Sequence, residues 1–106
     1  MPKYLVQGSY SLDGLKGVLA EGGSSRVEAV RKLLESTGAT LESMYFSFGS
    51  DDFVIIAEGP DNVTVAAIVM MVAATGAVTT KTTVLLTAEE LDAAAHKVVS
   101  YRPPGQ

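Results

Sequence analysis

Twelve residues, Val63 to Ala74, constrain the fold more than any other stretch of this chain: all but Thr64 are apolar and none is charged. Gly59-Pro60-Asp61 precedes them and Gly76 follows, which is the punctuation of a helix capped by Asp61. A helix lying on a sheet buries one side. One that is apolar all round needs a second cover, and a further subunit is the expected one. The segment is too short to cross a bilayer, which takes around 20 residues.

The strands are found around that helix. Lys3 to Tyr10 is rich in Tyr, Leu and Val and stops at Ser11, so it reads as the first strand. Leu12, Leu15, Val18 and Leu19 follow at helical spacing from a Ser11 cap, and Gly22-Gly23 ends that helix. Val27, Val30, Leu33 and Leu34 repeat the stripe in a second piece that closes at Gly38, with Ser25 and Glu28 spaced as a capping box. The two pieces are expected to form one interrupted crossover on a single sheet face. Ala39 to Phe48 and Asp52 to Glu58 are the next strands, joined by the Gly49-Ser50-Asp51 turn. Phe53 to Ala57 is apolar throughout, as in a central strand covered on both faces. Val78 to Leu86 is the fourth strand. Thr87-Ala88-Glu89-Glu90 opens a last helix with a second capping-box pattern, carrying Leu91, Ala94, Ala95 and Val98. Tyr101 to Gln106, with two prolines, is an extended tail expected to pack on the body or on a partner.

This order predicts one α+β domain over residues 1–106, a ferredoxin-like βαββαβ two-layer sandwich with an extra C-terminal helix and tail. One face of its four-stranded sheet lies under helices and the other is bare. Pairing two bare faces gives a dimeric α/β barrel, so the first expected partner is a second copy of the chain.

Composition narrows the functional classes. Cysteine is absent, which removes disulfides, thiolate metal sites and cysteine nucleophiles and fits a reducing, cytoplasmic setting. A net charge of −4 with scattered Lys and Arg argues against a nucleic-acid partner. Neither an export signal nor a membrane segment is legible. No phosphate loop, dinucleotide fingerprint, nucleophile elbow or zinc spacing occurs, so neither a cofactor nor a metal is expected.

Candidate site residues are few, and each carries two readings. Tyr4 and Tyr10 share one strand face, with Gly8 between them leaving room for a ligand or for a neighbouring side chain; Tyr45 shares a face with Ser47. Phenols facing a cavity orient substrates or donate protons, and equally they pack with one satisfied hydroxyl. Asp52 is the strongest single candidate, as a site carboxylate or as the acceptor that holds the hairpin. Asp51 and Asp52 point to opposite faces of a strand and do not converge on one ion. Lys81 either guards an edge strand or anchors an anion inside a barrel. His96, the only histidine, is a potential general base or a cation suited to a helix C-terminus. Gly22-Gly23-Ser24-Ser25 opens a helix where an anion can dock, although a helix break suffices.

Met1-Pro2-Lys3-Tyr4-Leu5-Val6, Glu21-Gly22-Gly23-Ser24, Phe48-Gly49-Ser50-Asp51-Asp52, Pro60-Asp61-Asn62, Lys81 to Leu86 and Tyr101 to Gly105 stand in the order and character of the GYD domain family, which the chain resembles over essentially its whole length. The family takes its name from a Gly-x-Tyr-Asp hairpin; Gly49 and Asp52 match, and Asp51 stands where the tyrosine usually does. The resemblance implies a dimeric ferredoxin-like barrel and no particular reaction. Three functions stay open: a small-molecule-binding or regulatory module using Tyr10, Tyr45, Asp52 or Lys81, a cofactor-free oxygenase or isomerase, and a structural subunit of a larger ring.

Overall fold

A computed structural model describes residues 1–106. Its elements run β1 (Lys3–Tyr10), α1 (Leu12–Glu21), α2 (Gly23–Glu35), β2 (Thr40–Phe46), β3 (Phe53–Glu58), α3 (Asn62–Ala74), β4 (Val78–Leu85) and α4 (Ala88–Ala95). The sheet order is β2-β3-β1-β4 and every pair is antiparallel, as the ferredoxin-like reading requires.

Register assigns each side chain a face. Tyr4, Val6, Gly8 and Tyr10 of β1 stand beside Ala57, Ile55 and Phe53 of β3 on the helix side. There Phe53, Ile55 and Ala57 meet Val30 and Leu34 of α2 and Ile68 of α3 in the core. Leu5, Val54 and Ile56 alternate with them and point to the open face, where this chain supplies no cover. The β3 run thus has one of the two covers its composition asks for. A bulge between Leu41 and Ser43 shifts the parity of β2, so Met44 faces the helices and Tyr45 does not.

Local caps explain the helix boundaries. Ser11 accepts from the Gly14 N–H, Asp61 from Thr64, and Thr87 exchanges both bonds of a capping box with Glu90. The Ser25–Glu28 box does not form, because α2 already begins at Gly23, with Gly22 as its cap at φ 87°. That left-handed residue, which glycine adopts without a Cβ clash, re-aims the chain between the two helices. The crossover expectation needs the same correction. Only α2 seats its stripe on the sheet, whereas α1 leaves Leu12 and Leu19 69% and 78% exposed. The last helix stops at Ala95, so Val98 lies outside it.

Candidate functional site

The helix side of the sheet holds an apolar chamber of about 100 Å³, floored by Val6, Phe53 and Ile55 and roofed by Val30, Ile68 and Val72. Its walls are the sheet below and facing residues of α2 and α3 above. Beneath α1 a wider cleft of about 490 Å³ carries Ser11, Asp13, Glu21 and Thr75 among small and apolar residues. Tyr10, Arg26, Val72 and Val78 line both spaces, so the apolar chamber and the more polar cleft adjoin along these four residues.

Two tyrosines on this side differ in their hydroxyls. Tyr4 is buried and donates to Asn62 Oδ1 at 2.6 Å, tying β1 to the first turn of α3. Tyr10 lies with its ring 5.2 Å from that of Phe53, and only its backbone N–H is held, by Asp52 Oδ2 at 2.9 Å. Burial raises the pKa of the Tyr10 phenol, the Arg26 guanidinium opposes the shift, and Asp52 and Glu21 add to it. At neutral pH the phenol is an intact donor. Arg26 Nη1 sits 3.6 Å from Glu21 Oε1, a long contact that leaves donors over.

The four candidate residues do not share one site. Tyr10 lines the chamber and the cleft. Tyr45 stands on the open face, 71% exposed. Lys81 also takes the open face of edge strand β4, where its Nζ reaches Asp51 Oδ2 at 3.1 Å. Asp51, at the position the tyrosine of the hairpin motif usually fills, therefore ties the hairpin to β4. Asp52 serves the hairpin from the other side: its N–H donates to Gly8 O and its carbonyl accepts from Ser47 N. The room above Gly8 is occupied, since a Cβ there would lie 2.5 Å from Phe53 Cζ. His96 caps the C-terminus of α4, with Nδ1 2.7 Å from Asp92 O.

Sequence reading missed Arg26. The residue sits on the polar side of the α2 stripe, and the fold puts it with Tyr10 in the walls of both spaces. No helix is long and apolar enough to cross a membrane. A model of the GYD domain matches residues 4–95. No curated protein and no solved structure matches the chain.

Proposed function

The chain belongs to the GYD domain family, and from that premise we propose a small homo-oligomeric module that binds an amphipathic small molecule between its sheet and its helices. The observation that carries this reading is the junction at Tyr10 and Arg26, which stand in the walls of both the apolar chamber and the more polar cleft. Sites for small ligands combine apolar walls with a few placed polar groups, and here the two kinds are segregated along one path. The chamber is somewhat smaller than the ~150 Å³ cavity that takes up benzene, so it suits an apolar group of about five carbons. At about 0.8 kcal/mol per buried methylene, five contribute about 4 kcal/mol, a Kd near 1 mM before any polar contact adds to it. The head group then lies in the cleft beside the phenol and the guanidinium.

The oligomer in this reading rests on the open sheet face. Leu5, Val54 and Ile56 form an apolar patch near its centre beside Gln7, with the Lys3–Glu58 and Lys81–Asp51 ion pairs at its margin. An apolar centre inside a polar rim is the anatomy of a subunit contact.

The test is a methyl NMR titration with 1-hexanol. The expected result is saturable shifts at Val30, Ile68 and Val72 with a Kd of about 1 mM or tighter, abolished by Val72→Phe. Unchanged methyl signals at 10-fold that concentration would sink the proposal. A second reading, cofactor-free catalysis, draws on one feature, the neutral Tyr10 phenol at the junction, as a proton donor to a bound carbonyl compound. Equal binding by Tyr10→Phe, with loss of a turnover that wild type shows, separates catalysis from binding alone.

A further inference from the structure

From Ala88 to the end, every residue of the chain is exposed. The exposed residues are not those of a solvated tail: Leu91, Val98, Val99 and Tyr101 are 61%, 100%, 77% and 73% accessible. Yet its first part is helical, α4 opening with a complete Thr87–Glu90 capping box. It carries the molecule to 57 × 32 × 23 Å, with a radius of gyration of 16.9 Å where a compact chain of this length has about 13 Å.

Surface area puts a scale on this exposure. The chain exposes 7311 Å², whereas a compact monomer of 11.1 kDa exposes about 5,700 Å². The excess of about 1,600 Å² is roughly twice what one subunit contributes to a standard interface. Only 11 of 106 residues are buried, so the chain lacks cover on the scale of a subunit rather than of a ligand.

We propose that residues 86–106 form a clasp that closes on a second copy of this chain. The inference rests on the oligomer of the proposed function and adds to it the segment that holds the copies together. The occupant is a second copy because the arm leaves β4, the strand bordering the open sheet face. A copy seated on that face lies within its reach: α4 spans about 12 Å, and the extended tail adds about 3 Å per residue. Two-fold symmetry then uses both arms at once, each crossing to the other body. Pro103 and Pro104 restrict the free tail, so less entropy is lost when it docks.

The absence of cysteine makes the test clean, because one introduced thiol labels at one place. Leu91→Cys carrying a nitroxide is mixed with cysteine-free, ¹⁵N-labelled wild type, and amide broadening is read on the ¹⁵N chain. The expected result is broadening at a contiguous set of body residues within 1–85. Its absence in a mixture shown to contain mixed dimers overturns the clasp. The paired variant Val98→Asp/Val99→Asp, which alters side chains that stand exposed in the single subunit, is expected to weaken the dimer at least tenfold in sedimentation equilibrium. An unchanged dimer constant in that variant overturns the clasp and leaves the dimer standing. A wild-type chain that is monomeric at 100 µM overturns both.

Discussion

Asp52 works at the level of single hydrogen bonds. Its carboxylate takes the Tyr10 N–H at the point where β1 ends and its backbone closes the hairpin, so it fixes the strand end that aims the Tyr10 ring. Asp52→Ala removes the side-chain acceptor and is expected to cost about 1–2 kcal/mol, with Asp52→Asn costing less because an amide oxygen remains. Urea unfolding of the two variants checks the order; equal stability of both with wild type would leave the bond without weight. Gly8 is the converse case, a residue whose missing side chain matters. A methyl group there would meet Phe53 Cζ at 2.5 Å and Thr79 O at 2.6 Å, and the carbonyl belongs to backbone held in the β1–β4 ladder. Gly8→Ala is therefore expected to lose about 1–3 kcal/mol through overpacking, with the Phe53 ring displaced toward the chamber. The midpoint of urea unfolding should fall while its slope stays the same.

Helix α3 joins two roles that its sequence does not separate. Val65, Ile68, Val69 and Val72 line the chamber, while Val63, Met70 and Met71 stand exposed on its outer side. Its start depends on Asp61, whose carboxylate accepts from the Thr64 backbone N–H at 2.8 Å; that bond lowers its pKa. A carboxylate with a depressed folded pKa contributes stability that is present above the unfolded value, 3.8 here, and is lost as pH falls through the folded value. Glu90 is lowered by the Thr87 backbone N–H in the same way. Acidification below about pH 4 should fray the first turn of α3, seen as lower amide protection factors, corrected for intrinsic rates, at Thr64 and Val65. Asp61→Asn keeps a capping oxygen without a titration and should remove that pH dependence. Wild-type protection factors that stay flat from pH 5 to pH 2.5 would rule the cap out as the cause.

At the scale of the molecule, one chain is two layers with a small core, an open sheet face and a projecting arm. A fold whose stability rests on association has a melting temperature that rises with protein concentration. Wild type is expected to melt several degrees higher at 100 µM than at 1 µM, a dependence that the Val98→Asp/Val99→Asp variant should flatten. Equal melting temperatures at both concentrations, with a monomer in sedimentation, would mean that the open face is tolerated bare.

The sequence by itself determined the elements and their order. Caps and turns are local chemistry: Ser11, Asp61 and Thr87 each bond a backbone N–H three residues on, and Gly22 and Gly76 adopt the positive φ that glycine permits. The one missed cap, Ser25, shows the limit, since a capping pattern has no effect when the helix has already started two residues earlier. The tertiary structure decided which candidates meet. Leu41 and Tyr45 are four residues apart and would share a face in an unbroken strand, yet the bulge between Leu41 and Ser43 puts them on opposite faces. Arg26 comes together with Tyr10 in the walls of both spaces only in the folded chain, with α2 turned off α1 at Gly22 and Tyr10 on the helix side of β1. Bulges and turn directions depend on contacts between residues far apart in sequence, and local periodicity carries no trace of them.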